Sequence, residues 1–227
     1  MTTTHAGWGD PARRTGLPPH ATGWLHREIG TGRRSTPVPL ADVTLPATEL
    51  DVTGLEAAVG AEHVATDDEA RVRHAAGRSY LDLLRLRSGD LPAAPDAVVL
   101  PASAAEVAAV LRWCSDSGVA VVPFGGGTSV VGGVAPLRGS FEAVVSLDLS
   151  RLDALLDVDE EALTATFEPG LRGPAAEALL NARGLTLGHF PQSYEYATIG
   201  GYAATRSSGQ ASTGYGRFDE MVLAVVA

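Results

Sequence analysis

The chain has 227 residues, of which 45% are hydrophobic, and it carries a formal net charge of −10. This length allows one large or two small domains, and the hydrophobic content is ordinary for a globular core. The sequence has no dense basic stripe, no apolar run of about 20 residues and no signal-peptide pattern, which argues against nucleic-acid binding, a membrane span and secretion.

Two details of the composition limit the chemistry. All 17 basic residues are arginine, so the chain has no lysine. This excludes a Walker phosphate loop, because that motif needs Gly-Lys-Ser/Thr. It also excludes Schiff-base catalysis by a lysine of this chain. The single cysteine, Cys114, permits no internal disulfide, and this favours a reducing, cytoplasmic compartment.

Residues 1–40 are rich in proline, glycine, threonine and arginine and show no sustained periodicity. We expect a mostly irregular leader, with Trp8 and Trp24 packed on the folded body. Residues 49–59 and 67–74 then have the spacing of short helices.

Two longer helices are predicted before the first glycine-rich segment. Tyr80 and Leu84 lie on the apolar face of the first, which ends near Gly89. Residues 97–100 read as a short strand, and the sequence Ser103-Ala-Ala-Glu106 that follows is a capping-box pattern. Leu111 and Cys114 are expected on the buried face of the second helix, where Cys114 is a core residue rather than a nucleophile.

The most informative stretch is residues 119–133. An apolar strand over residues 119–122 ends at Pro123 and is followed by Gly125-Gly-Gly127, Thr128 and Ser129. Strand, helix and strand form a right-handed βαβ unit with this loop at its carboxyl end. The glycine order matches neither the GxGxxG nor the GxSxG motif. We interpret the loop as a backbone cradle for a phosphate or diphosphate; the alternative is a glycine-rich surface loop without a ligand.

Further regular elements follow the loop. We predict a strand over residues 143–147, a hairpin of residues 154–158 and 163–167, a short helix from Pro174 to Gly184, and a strand over residues 221–226. The mixture of parallel and antiparallel pairing indicates an α+β fold rather than a doubly wound sheet.

A second segment of small and polar residues spans 189–216 and could form a wall opposite the loop. Arg206 either neutralises a phosphate or forms a surface ion pair, and the two interpretations have about equal weight. His189 fits a hydrogen-bonded structural histidine better than a catalytic base. No HxxxH or HExxH spacing supports a metal site.

Together these stretches resemble the FAD-binding domain of the vanillyl-alcohol oxidase/p-cresol methylhydroxylase (PCMH) superfamily, with the alkylglycerone-phosphate synthase branch as the nearest resemblance. The matching pieces are residues 94–101, the helix after them, residues 123–129 and 191–201, extended by residues 205–209 and 215–216 and, for the branch, residues 7–10. The resemblance implies a PCMH-type domain, a small βαβ subdomain plus a larger mixed or antiparallel sheet with helices, over residues 91–227. Residues 1–90 would then be a leader and helical segment.

The resemblance also implies FAD as the cofactor. Covalent members of the superfamily have a histidine where Thr128 stands, so we predict non-covalent FAD. An acidic residue is usual in the family where this chain has Gln192, so an amide contact would replace a carboxylate. The implied cofactor-binding residues are Pro123, Phe124, Gly125, Gly126, Gly127, Thr128, Ser129, Gln192, Ser193, Tyr194, Glu195, Tyr196, Ala197, Thr198, Thr205, Arg206, Ser207, Ser208 and Gly209.

Three functions follow as hypotheses. The first is the FAD-binding part of an enzyme like alkylglycerone-phosphate synthase, which exchanges acyl for alkyl in ether lipid synthesis. The second is an FAD-linked oxidase or dehydrogenase of 2-hydroxy acids. The third is an FAD-binding fragment without catalysis.

The resemblance bears on completeness and partners as well. The family's substrate cap, which supplies its catalytic residues, would lie beyond Ala227, so we expect a C-terminally truncated chain that is inactive alone. With the cap present, we expect a lipid-type or small hydroxy-acid substrate. The family is often homodimeric, and a membrane-peripheral location is compatible with it.

Overall fold

A computed structural model describes residues 4–9, 15–30 and 36–226. The helices are α1 (Pro19–Ile29), α2 (Thr53–Val59), α3 (Asp68–Arg73), α4 (Tyr80–Ser88), α5 (Ala104–Asp116), α6 (Gly173–Asn181), α7 (Ile199–Thr205), α8 (Ser212–Tyr215) and α9 (Phe218–Met221). The strands are β1 (Val64–Ala65), β2 (Ala97–Val99), β3 (Val119–Phe124), β4 (Ala143–Asp148), β5 (Leu155–Asp159) and β6 (Thr164–Phe167).

A mixed four-stranded sheet in the order β1-β2-β4-β3 organises the first half of the fold. β2 and β3 both run parallel to β4, whereas β1 is antiparallel to β2. The predicted strand–helix–strand unit is therefore present, with β4 inserted between its two strands. β5 and β6 form the predicted antiparallel hairpin. These pairings confirm the predicted α+β fold class with mixed parallel and antiparallel pairing.

The core of the sheet explains why these segments form strands. β2 and β4 are buried along their whole length, and their apolar side chains pack against α2 and α5. Val110 and Cys114 of α5 are fully buried in this cluster, and burial raises the pKa of the Cys114 thiol to about 11. Cys114 is thus a core residue, as predicted. Leu111 is not, since 46% of it is exposed.

Two local predictions need correction. β3 continues through Pro123 to Phe124, because β3 is an edge strand of its sheet and Pro123 can pair with Leu147 without an N–H on the outer side.

The capping box of α5 is half formed. Ser103 Oγ accepts a hydrogen bond from the Glu106 N–H at 3.2 Å, but the Glu106 carboxylate accepts from Ala102 at 2.7 Å.

The predicted apolar face of α4 is wrong, although the helix itself and its end at Gly89 are confirmed. Tyr80 is 76% exposed and Leu84 is 42% exposed, whereas Leu86 is 2% exposed. Leu86 packs in a separate cluster that includes Ala6 from the N-terminal segment. The buried position of this helix is therefore Leu86 rather than Tyr80 or Leu84.

The N-terminal prediction is partly wrong. Residues 19–29 form α1 rather than irregular chain, and Trp24 on this helix is 54% exposed, with no buried residue on α1. Trp8 does pack on the fold, with its ring centroid 6.0 Å from that of Tyr196. Asp10, which closes the motif of residues 7–10, lies outside the described residues.

The predicted strand over residues 221–226 is also wrong. α9 ends at Met221, and residues 222–226 pair with no strand in the described part of the chain. Val226 is 96% exposed there. β-Branched composition favours a strand only where a neighbour completes the hydrogen-bond ladder.

None of the helices in the described ranges is both long and apolar enough to cross a bilayer.

We expect Leu86→Ala to lower the free energy of unfolding by about 2–5 kcal/mol, because it removes a fully buried side chain from a packed cluster. Leu84→Ala on the same helix is the matched control and should cost less than half as much, since that side chain is partly in water. Urea unfolding followed by circular dichroism measures both. Equal losses would contradict the corrected helix face.

Candidate functional site

The glycine-rich loop that follows β3 packs closely against a second backbone segment. A Cβ atom on Gly125 would lie 2.5 Å from Thr198 Oγ1, and one on Gly126 would collide with the main-chain carbonyl of Tyr196. Gly127 has a φ of +65°, and the Phe124 ring packs directly beneath it. Glycine is required here by both contact and conformation. Of the second polar segment, residues 196–198 lie against the loop.

The second segment is itself held in place by backbone hydrogen bonds. Arg172 and Thr198 form an antiparallel bridge, and the Ile199 N–H donates to the Leu171 carbonyl at 2.9 Å. Thr198 Oγ1 accepts a hydrogen bond from the Gly201 N–H and so caps α7. The start of α7 therefore fixes the wall against which the loop packs.

The far end of the loop is fixed by Ser129. Its Oγ accepts a hydrogen bond from the Gly133 N–H at 2.9 Å, and its carbonyl accepts one from the Arg78 N–H at 2.7 Å. Gly77 makes this second contact possible, because a Cβ there would collide with the Ser129 carbonyl oxygen. Ser129 thus holds the loop closed, whereas Thr128 faces the cleft described below.

A pair of largely buried side chains, His74 and Asp148, supports the loop from below. His74 Nε2 lies 2.9 Å from an Asp148 carboxylate oxygen, and His74 Nδ1 lies 2.8 Å from the Ala70 carbonyl. The ring also packs on Phe124, with centroids 4.3 Å apart. The pair thereby positions the aromatic ring under the glycine loop.

A small cleft, partly open to solvent, lies over the loop. Its lining residues are Gly7, Trp8, Gly9, Arg78, Gly126, Thr128, Arg172 and Tyr196. Sequence reasoning missed the two arginines, because neither belongs to a recognisable motif and each is distant in the chain from the loop. Trp8 was expected to pack on the fold but was not assigned to a site.

The structure does not bring residues 205–209 to this cleft. Thr205 Oγ1 donates to the Gly201 carbonyl at 2.7 Å, and the Gly209 N–H donates to Ser212. The side chain of Arg206 is 71% exposed, and its Nε lies 3.7 Å from an Asp219 carboxylate oxygen. This is the geometry of a surface ion pair, which was one of the two interpretations of Arg206 from the sequence. A cofactor contact by these residues stays a prediction.

His189 is buried and bonded within the fold. A hydrogen bond of 3.0 Å joins His189 Nε2 to Ser207 Oγ, and the ring packs edge-on against Tyr202. Burial lowers its pKa, so the neutral form is favoured. These contacts fit the structural histidine that was predicted. In the described part of the chain, no three His, Cys, Asp or Glu side chains converge as a metal site would require.

The remaining members of the predicted set lie on the turn before α7. Gln192 and Glu195 are exposed, and Ser193 accepts hydrogen bonds from the N–H groups of Tyr196 and Ala197 through its carbonyl. Of this set, Tyr196 lines the cleft and Ala197 and Thr198 support the loop from behind.

Comparison with known proteins identifies the family of this site. The profile of the FAD binding domain matches residues 95–227, which include the glycine loop and the wall that faces it. The chain belongs to this family. FAD is therefore the cofactor of this domain.

Relatives with known names agree with this assignment. Alkyldihydroxyacetonephosphate synthase of Trypanosoma brucei brucei is 40% identical over 177 residues, which is 77% of this chain and 28% of that protein. The uncharacterized FAD-linked oxidoreductase YgcU of Escherichia coli K12 is 34% identical over 178 residues, 78% of this chain and 36% of the relative. This chain thus spans about a third of the length of the relatives it matches.

Solved structures give the same fold. A structure of alkyldihydroxyacetonephosphate synthase superposes with a TM-score of 0.87 at 30% identity, covering 97% of this chain and 46% of that one. p-Cresol methylhydroxylase superposes with a TM-score of 0.57 at 19% identity, over 68% of this chain and 28% of that one. The second similarity shows the fold alone.

We expect Gly126→Ala to destabilise the chain by about 1–3 kcal/mol, because the new methyl group meets the Tyr196 carbonyl and forces two backbone segments apart. Gly214→Ala is the matched control, since a Cβ there meets nothing within 4 Å. Thermal unfolding measures both changes. A Gly126→Ala variant as stable as the control would contradict the close approach of the two walls.

The Asp148 carboxylate should make stability depend on pH in the acid range. Burial alone would raise its pKa, but hydrogen bonds from His74 and Ser150 and the charge on His74 outweigh burial, and the pKa is lowered from 3.8. A lowered folded-state pKa gives stabilisation that is complete above the unfolded value and is lost as pH falls through the folded value.

The expected result is that the stability advantage of the original chain over Asp148→Asn shrinks as pH falls below about 4. Urea unfolding of both proteins at a series of acid pH values measures the advantage. An advantage that stays constant through that range would show that Asp148 does not contribute in its ionised form.

Proposed function

We propose that this chain is the FAD-binding part of a flavoenzyme resembling alkyldihydroxyacetonephosphate synthase, also called alkylglycerone-phosphate synthase. The observation that carries the proposal is the glycine loop packed against residues 196–198 beneath a cleft. Membership of the FAD binding domain family and the extent of the similarity to the synthase support it.

The residues present fit a dinucleotide cofactor. The loop lacks side chains that would block an approach to its backbone, and its amides together with Thr128 offer uncharged donors to a diphosphate. Trp8 and Tyr196 add aromatic surface beside the loop. When bound, the flavin supplies the reactive chemistry, and this chain binds and orients it. With Thr128 where covalent members of the superfamily have histidine, we propose that FAD is held non-covalently.

The whole enzyme's reaction is part of the proposal. By analogy with the synthase, the substrate is an acylglycerone phosphate whose acyl group is exchanged for an alkyl group, and catalytic residues would come from outside this chain. A second candidate is the oxidation of a small 2-hydroxy acid. The observation that favours it is the similarity to the glycolate oxidase subunit GlcD of Bacillus subtilis. The two sequences are 34% identical over 122 residues, which cover 54% of this chain and 25% of that protein.

A third candidate is an FAD-binding protein without turnover. The two walls and the cleft are formed by this chain alone, and they would suffice for cofactor binding without a substrate domain. Assays for acyl-to-alkyl exchange and for 2-hydroxy-acid oxidation, made on this chain together with the domain that supplies the catalytic residues, separate the three candidates.

We expect the purified chain to take up FAD, with a shifted and structured visible flavin spectrum on titration. Acid precipitation should release the flavin into the supernatant, because no covalent bond holds it. A folded chain that leaves the FAD spectrum unchanged would contradict the proposed function. Flavin retained in the pellet would contradict only the non-covalent mode of binding.

A further inference from the structure

Arg78 is anchored beside the glycine loop by its own backbone. Its N–H donates to the Ser129 carbonyl at 2.7 Å, and the neighbouring Gly77 allows the two chains to touch. The side chain then lines the cleft together with Gly126 and Thr128. A residue from the turn between α3 and α4 is thus placed at the mouth of a loop that is distant in sequence.

The guanidinium group of Arg78 is half-buried and poorly compensated. Its hydrogen bond is from Nη1 to the Gly77 carbonyl at 3.2 Å, and no carboxylate of the described residues lies within ion-pair distance. Burial lowers its pKa, although the Asp82 charge acts in the opposite direction. Asp82 is itself occupied by the N–H and hydroxyl of Ser79. A partly desolvated cation without a counter-charge is unfavourable unless an anion joins it.

A second arginine lines the same cleft. Arg172 is exposed, precedes α6, and its backbone bridges to Thr198 on the opposite wall. It has no ion pair with any described carboxylate. The lining contains neither aspartate nor glutamate. The described lining therefore carries two positive charges, backbone amides of the glycine loop and the hydroxyl groups of Thr128 and Tyr196, with no acidic side chain.

We propose that Arg78 and Arg172 form an oxyanion site in this cleft that binds the diphosphate of the dinucleotide cofactor. Guanidinium groups donate paired, charge-assisted hydrogen bonds to phosphate oxygens, and the loop amides complete the donor set. This inference rests on the proposed function and deepens it. It assigns neutralisation of the negative charge on the diphosphate to arginines outside the glycine loop. The site therefore differs from a cradle made only of uncharged donors.

The test is a set of equilibrium titrations with FAD, ADP, riboflavin and glycerol 3-phosphate. The proteins are the original chain, Arg78→Gln, Arg172→Gln and Arg183→Gln, the last an exposed arginine outside the cleft that serves as the charge-matched control. Circular dichroism and thermal unfolding establish that each variant is folded. Arg172→Gln keeps the test decisive if Arg78→Gln does not fold, because Arg172 is exposed.

We expect each cleft variant to weaken FAD and ADP by about tenfold or more, the usual effect of a lost charge-assisted hydrogen bond. Riboflavin, which has no phosphate, should bind all four proteins equally. The affinity for FAD should fall less steeply with added salt in the cleft variants than in the control. A residue with only a structural role would change riboflavin binding as well.

Three results would overturn the inference. Unchanged FAD and ADP affinity in a folded cleft variant would do so while leaving the proposed function intact. Weaker binding of glycerol 3-phosphate alone would assign the arginines to a phosphorylated substrate instead of the cofactor. An original chain that binds no FAD would end the proposed function and this inference together.

Discussion

The approach of two backbones at Gly126 is the constraint on which the rest of the site depends. Residues 125–126 lie so close to residues 196–198 that no side chain fits between them. This contact joins the four-stranded sheet to the segment that begins α7 and creates the floor of the cleft. Glycine is costly to order on folding, because it has more backbone freedom in the unfolded chain than any other residue. The fold accepts that cost where a backbone must meet another backbone or a ligand.

The loop is supported on three sides, and each support uses a different interaction. The hydrogen-bonded His74–Asp148 pair positions the Phe124 ring beneath the loop, and the ring in turn packs on Gly127. Ser129 ties the far end to the N–H of Arg78. A backbone bridge holds the opposite wall. Preorganised amides cost little to reorganise when a ligand binds, so a rigid cradle is consistent with cofactor binding.

Local sequence patterns predicted much of the fold, and long-range contacts account for what they missed. The serine cap at Ser103, the hairpin of β5 and β6 and the glycine loop each depend on neighbours in the chain. The buried face of α4 depends instead on residues distant in sequence, such as Ala6 and Val43, which share one apolar cluster with Leu86. The same reason hid Arg78 and Arg172, since only the fold brings them to one cleft.

Hydrogen–deuterium exchange with and without FAD tests the central claim most directly, because that claim concerns backbone amides. The account predicts slower exchange in peptides that cover residues 123–129 and 194–198 when FAD is added. Peptides of β5 and β6, which have no place in the cleft, should be unchanged. Unchanged exchange across the glycine loop in a protein that has bound FAD would show that the cofactor lies elsewhere.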